Sequence, residues 1–234
     1  MKILVDADSL IFASCYRPKE DPETFYDNLD DVIFKFDESF QNIINELDDI
    51  YDLSEVVVFN DSRGNFRKLI TKTYKANRKD QIKPPMLPDI HKHVHDTYNG
   101  VRGFGVETDD MVASYWKSYS EEYGRDNVMI VSIDKDYLQL PALIYRYNRK
   151  EFLDVSKFDA LKNFYTQMIT GDSADNVNFF HGKGIKFAKK YLYVDTPYKL
   201  TKKIYKLFKE KYKSKAKEKY IECYHLLKLR TDVK

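Results

Sequence analysis

The sequence predicts an α/β fold in which a mostly parallel central sheet is flanked by helices. Short apolar runs alternate with amphipathic segments through the first 170 residues, which is typical of a parallel sheet. Acidic residues follow three of these runs, at Asp6, Asp61 and Asp134. Since the sites of open α/β sheets lie beyond the carboxyl ends of the strands, these acids are expected to share one site. After Asp175 the pattern changes to helices in which lysine is the main charged residue.

Apolar runs rich in valine and isoleucine predict the buried strands of this sheet. The three main runs cover residues 2–5, 56–59 and 128–133, and shorter runs around a turn cover 144–147 and 151–153. The first run ends at Asp6 and the third ends at Asp134, so each strand presents a carboxylate at its end.

Apolar residues at intervals of three and four predict the helices. This spacing covers residues 27–50, 109–119 and 158–169, and acidic residues fall between the apolar ones in the first of these segments. Three closely spaced prolines, Pro84, Pro85 and Pro88, predict an irregular path before a helix that begins at about Asp89. We expect an α/β region over residues 1–170 and a helical region over residues 171–234.

The composition is that of a globular protein without a membrane segment. The chain has 234 residues, of which 32% are charged, and no apolar stretch approaches the roughly 18 to 20 residues of a membrane helix. No signal-peptide pattern precedes the first predicted strand. Cys15 and Cys223 are the only cysteines, which argues against a disulfide framework or a structural zinc. We expect a monomeric cytoplasmic protein.

The charge is distributed unevenly along the chain. Residues 183–219 contain fourteen lysines and three acids, a local charge of +11, whereas the whole chain carries +2. The remainder therefore carries −9. A basic surface beside an acidic body suggests a polyanionic partner, although a solvated lysine-rich helix face would show the same composition.

Five groups of acids lie at predicted strand ends and helix starts. They are Asp6 with Asp8, Asp61, Glu107 with Asp109 and Asp110, Asp134 with Asp136, and Asp172 with Asp175. Any single group is compatible with helix capping or a turn. Five groups at one edge of a sheet would repel one another unless cations were bound, and Mg²⁺ prefers oxygen ligands. The pattern suits Mg²⁺, or Mn²⁺ in its place, and two such ions would activate a water and stabilise the leaving oxygen of a phosphodiester.

Four segments resemble, in order, the motifs of the 5′ nuclease family. This family includes flap endonucleases and the 5′→3′ exonucleases related to the N-terminal domain of bacterial DNA polymerase I. The segments read VFNDSRGNFRKLITKTYKANR, GVETDDMVAS, VSIDKDYLQL and ITGDSADNVNFFHGKGIKFAKK. The short form of the chain is most similar to phage-encoded members. The resemblance implies a PIN-like core, a helical arch over residues 67–100 and a C-terminal helix-three-turn-helix region.

The resemblance also implies an Mg²⁺-dependent, structure-specific nuclease. It would cut DNA at 5′ ends or flaps, or RNA primers in RNA/DNA hybrids, during replication. By match to the motifs, one ion would lie among Asp6, Asp61, Glu107, Asp109 and Asp110. The other ion would lie among Asp134, Asp136, Asp172 and Asp175. Lys75 and Arg78 match catalytic positions near the scissile phosphate.

Two basic segments are expected to bind DNA. Spacing places Arg67, Thr71, Tyr74, Lys75 and Arg78 near one side of a helix, where cations would clamp phosphates and Tyr74 would stack on a base. A solvated helix with Tyr74 partly in the core would show the same spacing. The turn HGKGIK resembles the family's duplex-binding turn, which binds K⁺. This second set consists of Gly182, Lys183, Gly184, Lys186, Lys189 and Lys190. In place of a glycine and an arginine of the family the chain has Ala7 and Ala13, and Arg17 is the candidate replacement.

Three other functions remain open from the residues. A haloacid-dehalogenase-type phosphatase would use Asp6 as nucleophile and Asp8 as general acid, but it leaves the Glu107, Asp134 and HGKGIK segments without a role. A non-catalytic DNA-binding protein should have lost metal acids, and a PIN-type ribonuclease should be shorter. His91 and His95 share a predicted helix face, but no third zinc ligand is nearby, so we assign them to the arch surface.

Overall fold

A five-stranded sheet lies at the centre of the computed structural model, which describes residues 1–17, 24–194 and 196–233. The strand order is β2–β1–β3–β4–β5; the first four are parallel, and β5 runs antiparallel to β4. The strands are β1 (Lys2–Asp6), β2 (Glu55–Phe59), β3 (Val128–Val131), β4 (Leu143–Arg146) and β5 (Glu151–Asp154). The predicted mostly parallel sheet is confirmed.

Helices cover both faces of the sheet and form the C-terminal part of the chain. They are α1 (Asp8–Ser14), α2 (Leu29–Asp48), α3 (Arg67–Ile70), α4 (Leu87–Tyr98), α5 (Thr108–Tyr123), α6 (Lys157–Thr170), α7 (Ile185–Tyr191), α8 (Pro197–Tyr212) and α9 (Ala216–Leu227). The helices predicted from periodicity are confirmed as α2, α5 and α6. Helix α1 was not predicted, because seven residues directly after a strand are too few to show a helical period.

Alternating side chains of the strands build two separate cores. Ile3 and Val5 of β1 pack on one face with α1, α2 and α4, whereas Leu4 packs on the other face with α5. A third core joins α6 to the helices that follow it and also contains Tyr74. The division of the chain at residue 170 therefore stays a prediction. No helix in the described part of the chain has the length and apolar character needed to cross a membrane.

The segment that was expected to form one basic helix is interrupted. Helix α3 ends at Ile70, and only a short 3₁₀ turn, Ala76–Arg78, follows it. Between them Thr71 is extended and Lys75 has a left-handed backbone with φ +54°. The amide of Lys75 donates to the carbonyl of Asp175, 2.9 Å away, which cannot occur inside a helix. The prediction that Arg67, Tyr74 and Arg78 share one side of a helix is therefore wrong.

Gly171 is required where α6 ends and the acidic loop at Asp172 begins. Its backbone has φ +73° and ψ −169°, a conformation open essentially to glycine alone. A Cβ added here would lie 2.2 Å from the carbonyl oxygen of Val177. We expect Gly171→Ala to lower the free energy of unfolding by about 3 kcal/mol in a urea titration.

Gly182→Ala is the matched control for this substitution. Gly182 also has positive φ, +75°, but apart from its chain neighbours no atom of the described residues lies within 4 Å of a Cβ built there. We expect Gly182→Ala to lower the free energy of unfolding only by the cost of a left-handed backbone at a non-glycine residue, about 1–2 kcal/mol. Equal losses at the two positions would show that contact with Val177 is unimportant.

Candidate active site

A cavity of about 900 Å³ lies at the carboxyl edge of the parallel strands. Seven of the nine acids predicted as metal ligands line it: Asp6, Glu107, Asp109, Asp134, Asp136, Asp172 and Asp175. The predicted catalytic residues Lys75 and Arg78 line it as well, and so does Asp8. The fold therefore brings the acids of four distant segments to one place, next to two of the predicted cations.

Strand ends and helix starts position these acids. Asp6 is the last residue of β1 and is 5% exposed; the hydroxyl of Tyr137 donates to its Oδ2 at 2.8 Å. Strand β3 ends at Val131, earlier than predicted, and Asp134 instead caps the 3₁₀ helix Lys135–Gln139. Its Oδ1 accepts from the amide of Asp136 at 2.8 Å. Hydrogen bonds within the protein therefore fix the orientation of the Asp6 and Asp134 carboxylates.

The chain around Lys75 is fastened to the loop of Asp172 and Asp175. The Arg78 guanidinium donates to the carbonyl of Ala174 at 3.0 Å and to Oδ1 of Asp175 at 2.8 Å. The side-chain amide of Asn176 donates to the carbonyl of Thr73 at 2.9 Å. Asp61, Lys75 and Asn176 all have left-handed backbones. Such strained non-glycine residues concentrate at functional sites.

Crowding of carboxylates raises several pKa values in the cavity. Burial, together with the nearby Asp8, raises the pKa of Asp6 to about 7. Burial and the neighbouring Asp134 and Asp172 raise the pKa of Asp136 to about 7 as well. The pKa of Asp109 lies well above its ordinary value because the group is buried beside Asp110 and Glu107. The ionised form of these acids is therefore stabilised only when positive charge lies nearby.

Two lysines supply positive charge to other acids of the cavity. Burial alone would raise the pKa of Glu107, but the contact with the Lys75 ammonium outweighs it and lowers that pKa. Lys75 also lies 3.5 Å from Asp175. Burial is likewise outweighed at Asp172, where Lys135 lies 2.8 Å away and the pKa is lowered. The cavity therefore contains acids paired with lysines and also acids, such as Asp6 and Asp136, that form no ion pair with the described residues.

The donor set fits a divalent cation that prefers oxygen. Burial, together with neighbouring carboxylates, raises the pKa values of Asp6, Asp109, Asp134 and Asp136, and such a cation would relieve this cost. In the described ranges, no three groups from His, Cys, Asp and Glu converge into a closed ligand set. Mg²⁺ keeps several of its waters and needs only one or two direct carboxylates, so an open arrangement suits it.

Asp61 and Asp110 do not line this cavity. The Asp61 carboxylate faces arginines instead, at 3.3 Å from Arg63 and 3.7 Å from Arg102. Asp110 is fully buried, and its two oxygens accept from Arg67 at 2.7 and 2.8 Å. Burial and saturation with donors leave Asp110 no free oxygen, which contradicts its predicted place among the acids around a metal ion.

Burial also contradicts two of the predicted DNA contacts. Arg67 is 2% exposed and donates only within the protein, so it cannot reach a phosphate. Tyr74 is 3% exposed, and its ring belongs to the C-terminal core, so it cannot stack on a base. Its hydroxyl lies 2.7 Å from carboxylate oxygens of both Glu107 and Asp175. Tyr74 therefore contacts two acids of the cavity from the protein core.

The turn and helix predicted to bind duplex DNA lie on the surface, where their role stays a prediction. Gly182, Gly184, Lys186, Lys189 and Lys190 are exposed, and the Lys183 ammonium lies 3.8 Å from the centre of the Phe187 ring.

Arg17 near the N-terminus and His95 of the arch have partners within the protein. Arg17 pairs with Asp27 at 2.9 Å. Of the two histidines, His95 bonds the carbonyl of Gly100, whereas His91 lines the acidic cavity.

Asp8 is the functional candidate to which the sequence assigned no place in a nuclease. Its Oδ1 accepts from the amide of Asp61 at 2.9 Å, and its Oδ2 accepts from the hydroxyl of Thr108 at 2.6 Å. Thr108 stands between Glu107 and Asp109, so Asp8 connects three acidic groups. The only signal in the sequence is an acid two residues after the end of the first strand.

We expect Asp8→Ala to lower kcat by about 10- to 100-fold, because loss of an outer hydrogen-bond partner disorders the groups that it orients. Asp8→Asn should lose less, since its side-chain oxygen still accepts from the amide of Asp61. Asp126→Ala serves as control, because the Asp126 side chain is 84% exposed. Steady-state DNA cleavage measures the effect, and wild-type kcat in Asp8→Ala would refute this role.

The fold and the cavity define an α/β protein whose acidic site lies beyond the carboxyl ends of its parallel strands. Residues 1–166 match the family model described as "5'-3' exonuclease, N-terminal resolvase-like domain". The chain belongs to this 5′–3′ exonuclease family, and the family and enzyme class predicted from its motifs are confirmed.

Two bacterial relatives and two phage structures show the extent of the similarity. The 5′-3′ exonuclease of Buchnera aphidicola subsp. Schizaphis graminum is 27% identical over 99% of this chain and 86% of its own length. That of Mycoplasmopsis pulmonis is 26% identical over 81% of this chain and 65% of its own length.

The two structures are from bacteriophage T5. The zinc-bound 5′-exonuclease has a TM-score of 0.67 at 17% identity, with 96% of this chain and 88% of that chain covered. The flap endonuclease, in a pseudo-enzyme-product complex with DNA and metal ions, has a TM-score of 0.65 at 16% identity, covering 97% and 89%. At these identities the likeness shows a shared fold, which confirms the predicted fold class, and the predicted similarity to phage-encoded members is shown at the level of the fold.

Proposed function

We propose that this 5′ nuclease hydrolyses phosphodiester bonds of DNA next to 5′ ends and flaps, with two Mg²⁺ ions in the acidic cavity. The convergence of seven predicted carboxylates with Lys75 and Arg78 on one cavity carries the proposal. The T5 flap endonuclease structure with DNA and metal ions supports a divalent cation and a DNA substrate. RNA in RNA/DNA hybrids is a second substrate of the same backbone chemistry. Mn²⁺, another oxygen-preferring cation, would replace Mg²⁺.

Each group of the cavity has a role in this reaction. Two divalent cations, when bound, activate a water and stabilise the leaving oxygen of a phosphodiester. The seven lining acids would hold them, with Asp6, Asp109, Asp134 and Asp136 as the acids that most require positive charge. Lys75 and Arg78 would contact the scissile phosphate, and both would exchange their present carboxylate partners for it.

A basic groove adjoins the acidic cavity and would admit the single strand. It encloses about 770 Å³ and shares six lining residues with the acidic cavity: Phe12, Lys68, Lys75, Arg78, Lys83 and Leu87. Its other lining cations are Lys72 and Lys79. Cations beside an aromatic ring suit a flexible strand, because they neutralise phosphates while bases stack.

The duplex would lie against the exposed lysines of α7 and the turn before it. Lys183, Lys186, Lys189 and Lys190 would contact the backbone, and the turn at residues 182–186 would bind K⁺. Such contacts make affinity strongly dependent on salt and nearly independent of base sequence. We expect the protein to act as a monomer in the cytoplasm.

The phosphatase alternative is disfavoured by the contacts of Asp8. As a general acid Asp8 would have to give a proton to a leaving group. Both of its oxygens instead accept hydrogen bonds, from the amide of Asp61 and the hydroxyl of Thr108. Asp134, Asp136 and Lys75 would also have no role in that reaction.

Cleavage of a 5′-labelled flap duplex, with and without Mg²⁺, tests the proposal. We expect Mg²⁺-dependent cuts near the junction, at the same position in duplexes of matched shape but different sequence. A small chromogenic phosphate ester should remain intact. Hydrolysis of the ester with intact DNA would support the phosphatase, and binding of the flap without any cut in Mg²⁺ or Mn²⁺ would support a non-catalytic DNA-binding protein.

A further inference from the structure

Arg67 lies behind the acidic cavity with every N–H of its guanidinium engaged. Nη1 donates to Oε2 of Glu107 at 2.9 Å and to Oδ2 of Asp110 at 2.7 Å, while Nη2 donates to Oδ1 of Asp110 at 2.8 Å. The remaining two N–H groups donate to main-chain carbonyls near the C-terminus. Nε reaches Leu226 at 3.2 Å and Nη2 reaches Lys228 at 3.0 Å. The five donors of an arginine are thereby all used.

The last turn of α9 and the residues that follow it are held at the same place by further hydrogen bonds. The side chain of Gln139 donates to the carbonyl of Leu227 at 3.0 Å and accepts from the amide of Leu229 at 2.9 Å. The amide of Arg230 donates to Oδ1 of Asp110 at 2.9 Å. Leu229 itself is 2% exposed in the core beneath α5. Residues 226–230, here called the C-terminal strap, therefore form part of the wall behind the cavity.

The two sets of contacts depend on each other for electrostatic reasons. A buried guanidinium is tolerated only when its charge is paired and its donors are satisfied. Asp110 pairs the charge through two parallel hydrogen bonds, and the strap satisfies the donors that the carboxylates leave over. If the strap moved away, two N–H groups would be buried without acceptors. The guanidinium would then turn, and Glu107 would lose the hydrogen bond from Arg67, which together with those from Tyr74 and Lys75 directs its carboxylate.

We propose that Arg67 is a positioning residue through which docking of the C-terminal strap orients Glu107 in the cavity. The inference rests on the proposed function in one respect, namely that Glu107 helps to hold a divalent cation. Arg67 itself touches neither substrate nor cation, because it is 2% exposed and does not line the cavity. Its effect must therefore pass through Glu107.

A double-mutant cycle of Arg67→Lys and Glu107→Gln tests this coupling. The readout is the affinity for Mg²⁺ in the absence of DNA, measured by calorimetry, together with kcat for flap cleavage. We expect Arg67→Lys alone to weaken Mg²⁺ binding by about 10-fold or more. In the Glu107→Gln background the same change should weaken it by less than about 2-fold, because contacting residues are not additive when one acts through the other. A purely structural role would give equal factors in both backgrounds, and that result would overturn the proposal.

Gln139→Leu provides a second route that leaves the arginine intact. It removes both side-chain bonds to the strap, while Gln139 touches neither Glu107 nor Arg67 in the hydrogen bonds of the described chain. We expect it to weaken Mg²⁺ binding several-fold, again only when Glu107 is present. If Arg67→Lys fails to fold, Gln139→Leu replaces it in the double-mutant cycle with Glu107→Gln. Unchanged Mg²⁺ affinity in Gln139→Leu would refute the role of the strap.

Arg125→Lys is the matched control, since Arg125 also ties carbonyls to carboxylates but lies outside the cavity lining. It should leave Mg²⁺ affinity unchanged. Failure of the proposed function is distinguishable, because the wild-type protein would then neither bind Mg²⁺ nor cut the flap. Failure of the present inference would leave the wild type active and both backgrounds equally affected.

Discussion

Asp134→Asn is expected to reduce kcat/KM for flap cleavage in Mg²⁺ by on the order of 10³-fold. A loss of this size corresponds to the several kcal/mol by which a metal site stabilises the transition state. The fold should survive. Asp134 caps the 3₁₀ helix Lys135–Gln139 by accepting from the amide of Asp136, and the side-chain oxygen of asparagine can accept the same bond. What disappears is one negative charge at the cavity.

The measurement is the initial rate of cutting of a 5′-labelled flap duplex, with the wild type and the variant at equal concentration. Asp126→Asn is the control, because its carboxylate is 84% exposed and outside the cavity. Its rate should match the wild type. A loss of less than about 10-fold in Asp134→Asn would mean that the acid is a capping residue only.

The metal-free protein is expected to lose stability as the pH rises from 5 to 8, and Mg²⁺ should reverse this loss. The pKa values of Asp6 and Asp136 are about 7 in the folded protein, above the ordinary value of 3.8, because of burial and neighbouring carboxylates. Between these values the folded state binds more protons than the unfolded state. The free energy of unfolding must then fall as the pH rises through 7. The contribution of one such group is about 3 kcal/mol or more.

Urea unfolding at pH 5, 6, 7 and 8, with EDTA or with Mg²⁺, measures this dependence. In Asp136→Asn the fall should be smaller, because one of the two groups is gone while the side-chain oxygen still accepts from Gln167. This variant should be more stable than the metal-free wild type at pH 8, and inactive. Glu121→Gln removes an exposed charge on α5 and should follow the wild type. Stability that is constant or rises with pH in EDTA would contradict the expected linkage.

The acidic cavity was predictable because its signals are local. Asp6 and Asp134 follow apolar runs, and parallel strands deliver their carboxyl ends to one edge. The acids of α5 begin a helix that packs on the same sheet. Asp8 was predictable only in part. Its position was visible, but its bonds to Asp61 and Thr108 join segments 53 and 100 residues apart.

Arg67 and Tyr74 show where local reasoning fails. A cation or a tyrosine beside other cations is usually exposed, so both were expected to face DNA. Arg67 is instead buried among its acceptors, which are Glu107, Asp110 and the strap. These acceptors lie 40 to 161 residues away in the sequence, so local reasoning could not identify them. Tyr74 is buried because α6 and the helices after it close over it.

The sequence by itself indicated the mostly parallel sheet, helices α2, α5 and α6, the family and the acidic segments that meet at the cavity. Each of these follows from hydrophobic period or from the order of short motifs, which are properties of neighbouring residues. Only the tertiary structure decided which charges face the cavity and which are buried behind it. A buried charge is stable only with its partners in place, and for Arg67 those partners come from α5 and from the C-terminal strap.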